Sequence, residues 1–146
     1  MPPITVSAEV ERSADDVYRY TTDPSRFGEW QQGIVSGRMD PAVTVGTPRC
    51  VTVRRIGFVE RTSISEVVRA DSPRAWSVRG IDGPIRALVD VSVTPLADVG
   101  SRVTIAVDFE GHGIGKLPIS LAVRRQARKE MQTNVAALAQ GLESVA

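Results

Sequence analysis

Few residues in this sequence are equipped for catalysis. His112 is the only histidine and stands between Gly111 and Gly113. There it could act as an acid or base at a pocket mouth, but with no fixed partner in the sequence a surface-loop residue is the simpler account. Cys50 is the only cysteine, so an intrachain disulfide and a multi-cysteine zinc site are both excluded. It falls mid-strand with no evident base to activate it. No Gly-x-Ser-x-Gly elbow occurs, no His/Cys/Asp cluster is spaced for a metal, and the glycines of Gly111–Gly115 follow no strand-to-helix phosphate pattern. The expectation is a protein without metal or cofactor, whose catalytic residues, if any, are not identifiable.

Other side chains suit recognition better. Trp30 and Trp76 could wall an apolar pocket, although large aromatics are as commonly plain core. Glu66 shares an alternation face with Ile64 and Val68. If that face is inward, a carboxylate enters a cavity, where burial would raise its pKa unless it is paired; a charged strand edge is the alternative. Arg124, Arg125, Arg128 and Lys129 form a basic run. A solvated face explains such a run, yet counting back from Met131 by 3, 4 and 3 reaches Arg128, Arg124 and Leu121. Arg124 and Arg128 thus continue an apolar stripe, with Arg125 and Lys129 expected to point elsewhere, and arginine readily clamps a carboxylate.

These residues must be positioned by a recognisable series of elements. Ile4, Val6, Ala8 and Val10 alternate with polar neighbours, as in a strand with one buried face. Ser13 is placed to cap a helix from Ala14 to about Thr21, with Asp15 and Asp16 in its first turn. Asp23-Pro24 opens a second short helix ending near Trp30. Strands are then predicted at Ile34–Met39, Arg49–Val59, Arg61–Arg69, Ala75–Arg79, Ile85–Thr94 and Arg102–Glu110, with a turn at Asp71-Ser72-Pro73. Ala87, Val89, Val91 and Val93 share one face; so do Val103, Ile105, Val107 and Phe109. Pro118 opens a long helix to about Ser144, striped by Met131, Val135, Leu138, Leu142 and Val145. Short connections favour antiparallel neighbours, and the sheet and the helix each have an apolar face that only the other can cover. Where the two diverge, a gap opens of the kind that seats ligands.

Composition agrees with this α+β reading. The 146 residues suit a single domain over 1–146, and 42% hydrophobic with 24% charged residues excludes wholesale disorder. Eighteen basic against 17 acidic residues leave a formal charge of +1, so no bulk field favours nucleic acid. The N-terminus lacks the pattern of a signal peptide, and no apolar run approaches the roughly 18 residues of a membrane span. A lone cysteine suits a reducing compartment. A cytoplasmic protein with no integral membrane association is expected, either monomer or homodimer.

Three stretches resemble the polyketide cyclase/dehydrase-like branch of the START-like (SRPBCC, helix-grip) superfamily. The first runs from Val10-Glu11-Arg12-Ser13-Ala14-Asp15-Asp16-Val17-Tyr18 to Asp23-Pro24 and Phe27-Gly28-Glu29-Trp30. The second is Ile64-Ser65-Glu66 followed by Asp71-Ser72-Pro73-Arg74-Ala75-Trp76, and the third is the Gly111–Leu117 stretch feeding the Arg124-Arg125 helix and ending at Leu142-Glu143. The resemblance covers nearly the whole chain. It implies a helix-grip fold, in which a curved antiparallel sheet of about seven strands wraps a long C-terminal helix, with two short helices after the first strand. It also implies a cavity for a hydrophobic small molecule, lipid-like or polyketide-like, with Trp30, Glu66, Trp76, His112, Arg124 and Arg128 as candidate lining. A cyclase, aromatase or dehydrase acting by general acid/base chemistry without metal is the alternative, and a ligand-free interaction or stress-regulatory module the second. Fold-level likeness does not choose among them.

Overall fold

Alternation along β1 (Ile4–Val10) buries Ile4, Val6 and Val10 while Thr5, Ser7 and Glu9 stay exposed. The computed structural model describes residues 3–40, 47–83, 85–97, 99–111 and 121–144, with backbone only at 85, 110 and 111. His112, the rest of the stretch to Leu117, Pro118 as helix opener, and Val145 lie outside the described residues.

The capping residues act as their types require. Ser13 accepts a hydrogen bond from the Asp16 amide at 3.2 Å and starts α1 (Ala14–Thr21). Asp23 accepts one from the Ser25 amide at 3.0 Å, and Pro24 enters a 3₁₀ helix over Pro24–Glu29. Then come β2 (Ile34–Met39), β3 (Arg49–Ile56), β4 (Val59–Asp71), β5 (Ala75–Gly80), β6 (Ile85–Pro95) and β7 (Ser101–Gly111), followed by α2 (Leu121–Ser144). The β4–β5 turn contains a cis Ser72–Pro73 bond.

All seven strands join one antiparallel sheet in the order β1-β7-β6-β5-β4-β3-β2. It curls as a half-barrel beside α2. Register fixes which side chains share its concave face. Trp76, Val91, Ile105 and Val6 form one rung, and Val67, Val78, Val89, Val107 and Ile4 form another. The buried stripe of α2 (Val135, Leu138, Leu142) joins residues of both rungs, with Val17 and Tyr20 of α1, Phe27 and Trp30, in one hydrophobic core.

Two glycines permit the close approaches that hold this end together. A Cβ at Gly37 would collide with the Pro24 carbonyl, so only glycine lets β2 pass beneath the 3₁₀ helix. A Cβ at Gly141 would strike the Tyr20 hydroxyl and lie 3.1 Å from its Cζ, so α1 and α2 touch there through a ring against bare backbone. The C-terminal turns of α2 are anchored by Arg12, whose guanidinium donates to the Leu142 carbonyl at 3.0 Å and pairs with Asp16 at 3.1 Å. A cation at a helix C-terminus also opposes the negative end of the helix dipole.

Candidate ligand-binding site

The concave wall is not filled evenly from end to end. Toward the C-terminal half of α2 its residues are sealed: Val103 is 0% exposed, Val91 and Val93 3% each, and Trp76 7%. Along the same face toward the other end, Val78 (8%) and Ile4 (0%) are buried, but Val67, Val89, Val107, Ala87 and Phe109 are only half-buried. Beside them on β3 and β4 the face turns polar. Thr52 pairs with Ser63 and Cys50 with Ser65, and Gly37, opposite Thr52, rests on the 3₁₀ helix, which assigns this set to the concave side. The partner α2 changes in step. Met131 is half-buried, Arg128 is exposed, Arg124 half-buried and Leu121 66% exposed. Side-chain packing between helix and sheet therefore ends near Met131, while the wall of the sheet continues.

The tryptophans meet through a third aromatic ring. Phe27 lies edge-on to Trp30 at 5.9 Å between ring centroids and to Trp76 at 6.2 Å. Both indoles are 7% exposed, so they are core residues that also close the inner end of the wall. Trp30 Nε1 is buried with no acceptor among the described residues. Leaving such an N–H unmet costs about 1–3 kcal/mol, which an oxygen from water or ligand would recover.

Glu66 stands elsewhere than the inward reading places it. In register it lies opposite Arg49 on one side and Arg79 on the other, on the convex face, because its neighbours Ser65 and Val67 occupy the concave one. Alternation tells which residues share a face but not which face turns inward. Val68, expected beside it, falls at the register shift between Val67 and Arg69.

The arginines of α2 also correct an expectation. Leu121, Arg124, Arg125 and Arg128 together line a depression of about 200 Å³. The stripe sets Arg125 apart from Arg124 and Arg128, but at 3.6 residues per turn the three are neighbours on the helix surface, and long guanidinium side chains converge. This depression shares no lining residue with the tryptophan cluster.

Two features have no distinct signal in the sequence. The hydroxyl-bearing wall of Thr52, Ser63 and Ser65 belongs to strands whose apolar residues, Val51, Val53 and Ile64, take the opposite face. The other is an ion pair between Arg54 of β3 and Glu130 of α2 at 2.9 Å, with Arg54 also donating to the Gln32 carbonyl at 3.2 Å. It ties the rim of the sheet to the helix where their apolar contact stops. Cys50, adjoining this wall, is 3% exposed, and burial pushes its thiol pKa up to about 11.

A family profile described as "Polyketide cyclase / dehydrase and lipid transport" matches residues 1–143. No curated protein matches the chain significantly. Among solved structures, a START superfamily protein from Mycobacterium smegmatis superposes with a TM-score of 0.81 at 17% identity, covering 100% of both chains. The di-domain ARO/CYC BexL of the BE-7585A biosynthetic pathway gives 0.77 at 20% identity over 98% of this chain and 47% of that one. TTHA0849 from Thermus thermophilus gives 0.69 at 20% identity over 97% and 94%. At these identities the structures speak for the helix-grip fold, and the profile match speaks for descent. The chain belongs to the polyketide cyclase/dehydrase and lipid transport family and has the START-like helix-grip fold.

Proposed function

We propose that this protein binds a hydrophobic small molecule bearing an acidic or carbonyl oxygen, held between the concave sheet and the N-terminal half of α2. One observation carries the reading: inward-facing Val67, Val89 and Val107 are only half-buried, and α2 from Leu121 to Met131 is exposed or half-buried. An apolar wall left partly uncovered beside a few polar groups is the usual make-up of a ligand pocket. Trp76 and Trp30 close its inner end, Trp30 Nε1 offers a hydrogen bond to an oxygen, and Thr52, Ser63 and Ser65 supply further hydroxyls. Arg124, Arg125 and Arg128 stand at the helix side, where a guanidinium can take an acidic head group.

A cyclase or dehydrase activity has less support. It calls for a general acid or base on the cavity wall; of the candidates, Glu66 belongs to the convex face and His112 lies outside the described residues. Native mass spectrometry of freshly purified protein, compared with its denatured mass, tests the binding reading. A copurified small molecule, or uptake of added long-chain fatty acid at one equivalent, is the expected result. A mass equal to the bare chain with no uptake of fatty acid or of aromatic polyketide acid would overturn it.

A further inference from the structure

The overall charge balance of the chain hides a polarised distribution. Asp82 Oδ1 accepts from the Ile64 amide at 3.1 Å, which sets the β5–β6 turn level with Ile64. The β3–β4 ladder continues beyond that level to Ile56↔Val59, so this hairpin projects past its neighbour. Its tip is apolar and uncovered: Ile56 is 57% exposed, Val59 60%, and Phe58 fully exposed. Gly57 makes the turn at a φ of 64°. A soluble surface rarely presents three large apolar side chains together without a partner.

The same end of the molecule carries the start of α2. Arg12 fixes Leu142 at one end of that helix, and Arg54, two residues before Ile56, holds Glu130 about 18 Å further up at 1.5 Å per residue. Hairpin tip and helix N-terminus therefore extend in the same direction. The helix contributes Leu121 (66% exposed) and Val123 (53%) beside Arg124, Arg125, Arg128 and Lys129. Arg61 adds a further cation at the hairpin. Of the nearby acids, Glu60 pairs with Arg55 at 3.1 Å and Glu130 with Arg54 at 2.9 Å, while Asp82 accepts from the Ile64 amide and keeps its negative charge. Arg61, Arg125, Arg128 and Lys129 form no ion pair within the described residues, so among those residues unpaired cations outnumber unpaired acids at this end.

We infer that this end docks on an anionic lipid surface, with Phe58, Ile56 and Val59 entering the interface and the arginines and Lys129 resting on the head groups. An aromatic and aliphatic tip ringed by basic residues combines the two contributions that hold peripheral proteins to membranes, apolar insertion and attraction to anionic lipid. A second copy of the same chain is a poorer occupant, since pairing this end with itself would oppose like charges. The inference shares the α2 arginines with the ligand reading but rests on the hairpin tip, which that reading does not use, so the Phe58 variant tests it apart from ligand binding.

Sedimentation of the full chain with vesicles tests it, using phosphatidylcholine alone and phosphatidylcholine partly replaced by phosphatidylglycerol. Binding is expected to the anionic vesicles only and to fall as salt rises. Phe58→Ser should weaken it by about tenfold, as the loss of one inserted aromatic side chain implies. Arg128→Glu with Lys129→Glu should abolish the preference for phosphatidylglycerol. Phe58 is fully exposed, so its variant should keep the wild-type melting temperature, which separates lost docking from lost folding. Equal sedimentation with and without anionic lipid, no sedimentation with either, or binding indifferent to Phe58→Ser would each overturn the inference. So would a concentration-dependent dimer that Phe58→Ser dissolves in the absence of lipid.

Discussion

At the scale of single residues, burial decides reactivity more than residue type does. Cys50 is a potential nucleophile held as a neutral thiol, with its pKa raised to about 11 by desolvation. We expect a disulfide reagent to leave Cys50 unlabelled in the native protein at neutral pH and to modify it once denaturant unfolds the chain. Rapid native labelling would contradict its burial. Because the folded pKa lies above the unfolded value of 9.0, stability from the buried thiol is complete below that value. It is lost as pH rises toward 11, so Cys50→Ala should flatten the alkaline end of the stability profile. Gly141 makes a different point. Alanine is the better helix former by about 1 kcal/mol, yet its Cβ would meet a tyrosine ring that is buried and tied to Glu29 at 3.1 Å. Gly141→Ala should destabilise by about 1–3 kcal/mol in urea unfolding, the range for overpacking a filled contact. A gain in stability would show that Tyr20 swings aside freely.

At the scale of elements, α2 is two helices in function. Its C-terminal half buries Val135, Leu138 and Leu142 against β1 and α1, while its N-terminal half carries exposed and half-buried arginines. Leu138 is 0% exposed, and Leu138→Ala should cost about 2–5 kcal/mol, measured by chemical denaturation. A loss below about 0.5 kcal/mol would place it outside the core. Hydrogen exchange should divide the helix in the same way, with amides of Val135–Leu142 protected much longer than those of Leu121–Lys129. The Arg54–Glu130 pair adds little to global stability, since such part-exposed pairs contribute about 0–1 kcal/mol. Its role is to keep the hairpin rim near the helix.

At the scale of the whole molecule, α2 is buried against the core at Val135, Leu138 and Leu142 and is exposed or half-buried from Leu121 to Met131. A ligand held at the proposed site would bind the folded state alone. Thermal stability should then rise with ligand concentration, by about 2.7 kcal/mol at a hundredfold excess over Kd. If arginine holds an acidic head group, Arg124→Gln and Arg128→Gln should each weaken binding by roughly 10- to 150-fold in titration calorimetry. Arg125→Gln should fall in the same range because the three share one depression. Affinity unchanged in all three variants would remove the helix from the proposed site.

The sequence by itself determined the elements and their order. Ser13 and Asp23 mark both helix starts, and the strands of Ile34–Met39 and Ala75–Arg79 were readable to within a residue, because caps, turns and period-two alternation are local physics. The stripe from Met131 to Leu142 likewise announced the packed face of α2. What only the tertiary structure decided was direction and distance. Alternation around Glu66 is symmetric, so strand pairing with Arg49 and Arg79 was needed to turn that carboxylate outward. The helical stripe has no marker for where its partner sheet bends away, so the arginines that continue it could not be told from core until the exposure of Arg128 and Leu121 fixed the end of packing near Met131. Likewise, Trp76 lies far along the chain from the neighbouring Phe27 and Trp30, and its ring meets Phe27 only through tertiary packing. Local patterns specify elements; contacts between residues distant in sequence specify the site.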